Sequence, residues 1–115
     1  MTEERLYAFA KAWSDKNTER VLEYFTEDCV YEPSIVMNQK KAYKGKVEVS
    51  KAVGQLMAFD DTISSMVNNI HINGNFGYWE WEYVDANEGK IYGCDVFEFR
   101  DEFIVKKNAY RKLNS

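Results

Sequence analysis

Apolar residues recur at helical spacing in the first half of the chain and on alternate positions in the second. Leu6, Phe9, Ala10 and Trp13 fall at i, i+3, i+4 and i+7, one stripe of an amphipathic helix over about residues 2–14. Thr2 is placed to cap it, with Glu3 and Glu4 in the first turn, where the helix dipole favours anions. A second helix, capped by Asn17 or Thr18, is expected through about Phe25, with Val21, Leu22 and Phe25 inward. Cys29-Val30-Tyr31-Glu32 reads as a strand stopped by Pro33, which has no N–H for a sheet ladder. Residues 34–45 are polar and irregular, with room for a short edge strand before Gly45. A third helix is expected from about Lys46 to Phe59, burying Val49, Ala52, Val53, Leu56 and Met57. Gly54 inside it costs about 1 kcal/mol relative to alanine, which predicts close packing against a sheet at that point. Asp60-Asp61 closes the helical half.

Four strands follow, at about 62–73, 76–84, 89–100 and 103–112, joined by turns at Asn73-Gly74-Asn75, residues 85–89 and Arg100-Asp101-Glu102. Consecutive hairpins make an antiparallel meander. Because side chains alternate across a strand, Gly77, Trp79, Trp81 and Tyr83 share one face. Ile91, Gly93, Asp95, Phe97 and Phe99 share one face of the next strand. These sets are the more apolar and are assigned inward, leaving Tyr78, Tyr92, Val96 and Tyr110 outward. Asp95 then stands as an acid within an apolar row. The expected architecture is α+β: a curved antiparallel sheet wrapped around three helices from the N-terminal half.

With 115 residues the chain is expected to form a single domain over residues 1–115. Aromatic residues make up 16%, which suits a ring-lined interior or an adhesive outer face. The formal charge of −4 disfavours nucleic acid. The basic clusters at Lys40, Lys41, Lys44 and Lys46, and at Lys106, Lys107, Arg111 and Lys112, read as solvated strand and loop ends. No apolar run approaches the roughly 20 residues that span a bilayer. The acidic N-terminus is unlike a signal peptide, so a cytoplasmic protein that does not enter membranes is expected. Cys29 and Cys94 read as buried reduced thiols, with a disulfide between them left open because bridging depends on geometry. His71 is the sole histidine and no ligand-spaced partners accompany it, so no metal is expected. Phosphate loops, dinucleotide fingerprints and nucleophile motifs are absent, and no cofactor is expected.

The residues that carry chemistry are Glu32 and Asp95, two carboxyls expected to share a poorly hydrated hollow as an acid/base pair. The alternative is that Asp95 accepts a tryptophan or tyrosine hydrogen bond while Glu32 faces solvent at a rim. Trp79, Trp81 and Phe97 fit a flat wall for a planar apolar ligand, with Val53 and Met57 as further lining, although ordinary core packing explains these residues as well. Met57 and Phe59, at the end of the third helix, also read as core.

The run from Asn17 to Pro33, then Tyr43-Lys44-Gly45, then Asp95-Val96-Phe97-Glu98-Phe99, resembles the nuclear transport factor 2-like superfamily. Within it the chain is similar to the SnoaL-like and ketosteroid isomerase-like branch. The resemblance implies a cone-shaped, strongly curved antiparallel sheet plugged by the three helices, a ligand cavity between them, and a homodimer through the outer sheet face. It places Glu32 where the isomerases carry their proton-shuttling carboxylate. It places Asp95 where they carry a protonated aspartic acid that donates to a developing oxyanion. Their oxyanion-hole tyrosine has no counterpart, because Ala8 takes its place; the terminal-strand aspartate of the epoxide hydrolase-like branch is missing too, where Tyr110 is followed by Arg111 and Lys112. Two functions fit: binding of a small apolar or aromatic molecule, with cofactor-independent isomerase, cyclase or hydrolase chemistry, or a non-catalytic module for dimerisation or partner assembly.

Overall fold

A computed structural model of the chain describes residues 1–36, 39–60 and 62–113. Asp61 of the expected helix stop and residues 37 and 38 of the irregular stretch lie outside them. Helix α1 spans Glu3–Ser14, and the Thr2 side chain accepts the Arg5 N–H at 3.1 Å to cap it. The Met1 ammonium and the Arg5 side chain donate to the carbonyls of Asp101 and Glu102, tying the N-terminus to a distant turn. Helix α2 spans Thr18–Leu22, capped by Asn17.

α2 ends three residues before the expected Phe25. Strand β1 takes up Phe25–Glu32 instead, because the Tyr24 carbonyl accepts the Ile104 N–H at 2.8 Å and draws the chain into the sheet. Val21, Leu22 and Phe25 fit a helical stripe, but sheet pairing overrides that local spacing. Strand β2 is the two-residue edge Tyr43–Lys44, and helix α3 spans Lys46–Phe59. Strands β3 (Thr62–Asn73), β4 (Phe76–Asp85), β5 (Gly89–Arg100) and β6 (Phe103–Arg111) form the meander. Gly74 at φ +60° makes the tight corner between β3 and β4.

The sheet runs β2-β1-β6-β5-β4-β3. It is not wholly antiparallel: β1 lies parallel to β6, with Tyr31 beside Lys107 and Glu32 beside Asn108. Register shifts interrupt β1, β3 and the β5–β6 ladder, and bulges of this kind bend a sheet. α1 packs on β3 and α3 on β1, so the helices fill the inner side of the bend. The core between them joins Leu6 and Phe9 of α1, Val49 and Val53 of α3, and Phe25, Phe97, Phe99 and Ile104 of the sheet. Phe9 is its hub: its ring meets Trp13, Tyr24, Phe25 and Phe97 edge-on and stacks on Trp79. Cys29 is buried in this core, and burial lifts its thiol to a pKa of about 11; Cys94 is half-buried on the other sheet face, and both are free.

Gly54 does not pack against the sheet. A methyl added there meets nothing within 4 Å, so the glycine costs helix stability without a steric reason. Gly54→Ala is expected to stabilise the protein by about 1 kcal/mol. Urea unfolding checks this: the midpoint rises and the slope stays unchanged.

Candidate functional site

Regular pairing of β4 with β5 sets Trp79 opposite Asp95 and Trp81 opposite Gly93, all turned toward the helices. Both indoles reach across the strand to the same acid. Trp79 Nε1 donates to Asp95 Oδ2 at 2.6 Å and Trp81 Nε1 donates to Oδ1 at 3.1 Å. Gly93 makes this possible, since a Cβ there would collide with the Trp81 ring and the Tyr110 carbonyl. From the other side, Lys107 on β6 places Nζ 3.3 Å from Asp95 Oδ1, and both side chains are buried, at 6% and 5% exposure. The Lys107 ammonium also lies over the rings of Trp13 at 4.3 Å and Tyr31 at 5.1 Å.

This cluster floors a cavity of 310 Å³. Phe9, Ala10 and Trp13 of α1 form one wall; Trp79, Trp81 and Tyr83 form another, the last two stacked at 5.4 Å. Leu56 and Phe59 from the end of α3 stand near the mouth. The mouth also carries Lys16, which donates to the Asp60 carbonyl, and Arg111 paired with Glu88 at 3.4 Å. Tyr31 also lines this space, and its hydroxyl makes no hydrogen bond to any described residue. Burial, and secondarily the Asp95 charge, push its pKa well above the ordinary tyrosine value, so it remains a proton-bearing donor. Burial raises Tyr83 as well.

Of the residues singled out from sequence, Trp79, Trp81 and Asp95 line the cavity. Phe97, Val53 and Met57 do not: they pack in the solid core, where Phe97 meets Trp79 edge-on at 5.0 Å and Met57 Sδ accepts the Thr18 hydroxyl. Phe59, read as core, is instead 80% exposed. Glu32 does not converge on Asp95. Alternation along β1 turns Tyr31 inward and Glu32 to the opposite face, where Lys106 lies 3.3 Å and Lys41 3.7 Å from its carboxylate. Asp95 takes the tryptophan-bonded alternative. Two indole N–H groups donate to it and the Lys107 ammonium pairs with it, so it acts as an acceptor and not as the oxyanion donor the resemblance implies.

Lys107 is the residue that sequence reasoning missed, since it reads as a solvated strand end. The bulge that pairs Phe99 with Ile104 but Glu98 with Lys106 inserts Val105 and brings both Ile104 and Lys107 to the inner face. A simple period of two cannot foresee that. His71 is exposed and stacks on Tyr78 at 4.9 Å. Among the described residues, no group of three His, Cys, Asp or Glu is placed to hold a metal, and no helix is long and apolar enough to cross a membrane.

The SnoaL-like domain model matches residues 5–107, and the chain belongs to that family. No curated protein matches the sequence. Among solved structures, a cystatin-like-fold protein of unknown function from Xanthomonas campestris shares 15% identity at a TM-score of 0.81, covering 96% of this chain and 89% of that one. A protein with a ketosteroid isomerase-like fold from Catenulispora acidiphila, in complex with trimethylamine, shares 19% identity at a TM-score of 0.79, covering 100% and 90%. An NTF2-like protein of unknown function from Mesorhizobium loti shares 17% at 0.78, covering 96% and 89%. These likenesses establish the cone-shaped α+β fold.

Breaking the floor pair on one side strands a buried charge, which costs about 3–5 kcal/mol. Asp95→Asn is therefore expected to destabilise by that amount, and Asp95→Asn with Lys107→Met by clearly less. Urea unfolding of the two variants checks the order; a double variant no better than the single one contradicts it.

Proposed function

We propose that this SnoaL-like domain protein binds a small apolar or aromatic molecule in the cavity, with a ligand oxygen seated against Lys107 and Tyr31. The observation that carries this reading is the floor itself: an ammonium and a hydroxyl with no hydrogen-bond partner among the described residues, in a chamber walled by rings. Pockets for small ligands run from about 300 to 1,000 Å³ with a few converging polar groups. At 310 Å³ this one suits a molecule of one or two fused rings. A structural neighbour was crystallised with trimethylamine. Here the Lys107 ammonium already fills the niche between two rings and a carboxylate, so an uncharged oxygen-bearing ligand suits the site better than an amine.

Chemistry without a cofactor, of the isomerase, cyclase or hydrolase type, then rests on Lys107, Tyr31 and Asp95 instead of Glu32. Two donors polarise the ligand oxygen while Asp95 holds or returns a proton across the ion pair. The free thiols, one of them buried, support the cytoplasm as the compartment.

A second reading concerns the outer sheet face and is compatible with the first. Tyr78, Tyr92, Val96 and Tyr110 are between 44% and 56% exposed there, and Tyr78 pairs directly with Val96 across β4 and β5. Large apolar side chains clustered in mid-sheet favour a homodimer through this face.

Planar aromatic ketones and phenols are expected to quench the cavity tryptophans saturably. Ala10→Phe, which fills the chamber from α1, weakens that binding about tenfold or more; wild type and variant indifferent to every such ligand would remove the binding reading. Static light scattering tests the outer face. A dimer that becomes monomeric in Tyr92→Asp is the expected result, and a monomer in both contradicts it.

A further inference from the structure

Lys107 is the one buried lysine among the described residues, and it lines the cavity. An ammonium carries three donors. Here a single carboxylate oxygen is its one anionic partner and two ring faces flank it, while the residue lines the cavity. Asp95 needs Lys107 less than an isolated carboxylate would, because two indole N–H groups already bond its oxygens. Tyr31 adds a hydroxyl free to donate. A side-chain amine nitrogen, a proton acceptor and a proton donor thus line one largely apolar cavity.

We propose that the cavity takes aldehydes or ketones, and that Lys107 condenses with their carbonyl carbon to form an iminium. The inference rests on the small-molecule reading above and names its ligand class.

In the first step Lys107 Nζ passes one proton to Asp95 Oδ1 along the ion pair. Two charges become two neutral groups, an exchange favoured when a ligand expels water from the cavity. The Nζ lone pair then forms the N–C bond while the carbonyl π pair moves onto oxygen. Tyr31 donates its proton to that oxygen and recovers one from the nitrogen, giving the neutral carbinolamine. Asp95 finally returns its proton to the hydroxyl, which leaves as water while the nitrogen lone pair closes the C=N bond. The balance is one ammonium and one carbonyl giving one iminium and one water, with no change in net charge. The iminium remains a cation beside Asp95, Trp13 and Tyr31, so the groups that hold the ammonium also hold the product. Lys40 and Lys90 also pair with a carboxylate and lie over a tyrosine ring, but both are exposed and neither lines this cavity.

The test incubates the full chain with 2-naphthaldehyde and sodium cyanoborohydride, which delivers hydride to the iminium carbon and fixes it as a secondary amine. Intact mass and peptide mapping are expected to show one naphthylmethyl group per chain, on Lys107. Lys107→Arg keeps the cation and the ion pair but has no nucleophilic amine, and loses the label. Should that variant fail to fold by circular dichroism, the wild-type map decides alone. Tryptophan quenching by the aldehyde without reductant is read in parallel. Quenching with no label on Lys107, or with label spread over surface lysines, overturns the iminium and leaves the binding site standing. No quenching at all overturns both.

Discussion

A carboxylate buried within an apolar sheet face must find donors, and the inner structure is arranged around meeting that need at Asp95. Removing a charge from water costs several kcal/mol unless partners replace the lost hydration. Three partners arrive from the neighbouring strands: two indoles from β4 and an ammonium from β6. Each has its own structural requirement. The Trp81 ring needs the bare backbone of Gly93 beneath it, and Lys107 needs the β6 bulge to point inward. Both requirements are met only when β4, β5 and β6 hold their observed registers, so the ion pair fixes register as well as charge.

The same arrangement determines where the interior is filled and where it is open. Phe9, Phe97 and Phe99 pack the narrow end, with Phe97 and Phe99 stacked and Phe9 holding Trp79. Beyond Asp95 the cavity is lined by Ala10 and Trp13 of α1 and by Trp81 and Tyr83 of β4. Trp13 contributes to both regions: its ring touches Phe9 in the core and covers Lys107 at the floor. The chamber thus has rigid aromatic walls and a polar end, the form in which a protein orients a small molecule by one of its oxygens.

Much of this was legible in the sequence. The Asn73-Gly74 corner and the alternating apolar rows of β4 and β5 placed Trp79, Trp81 and Asp95 together on the inner face, because those two strands pair without interruption. The limits of α3 followed from its apolar spacing. Glu32 was expected to share a hollow with Asp95, but alternation along β1 sets it on the face opposite Cys29 and Tyr31, where it is buried against Lys106 and Lys41. Phe97, Val53 and Met57 are apolar on the correct face, but composition does not reveal how deep in a cone a residue sits. Lys107 was hidden by an inserted residue, and its partners come from α1, β1 and β5, which no local pattern connects.

Membership of the SnoaL-like family and the cone fold are shared by proteins with varied uses, so function here turns on this floor and not on the fold. The central claim is that Asp95 is held in a dry interior by the indoles of Trp79 and Trp81, while Trp13 spends its ring, not its N–H, on Lys107. Deuterium exchange of the three indole N–H protons, resolved by NMR, tests it most directly. The account predicts that the Trp79 and Trp81 protons exchange slowly and the Trp13 proton rapidly. Equal and rapid exchange of all three would contradict it.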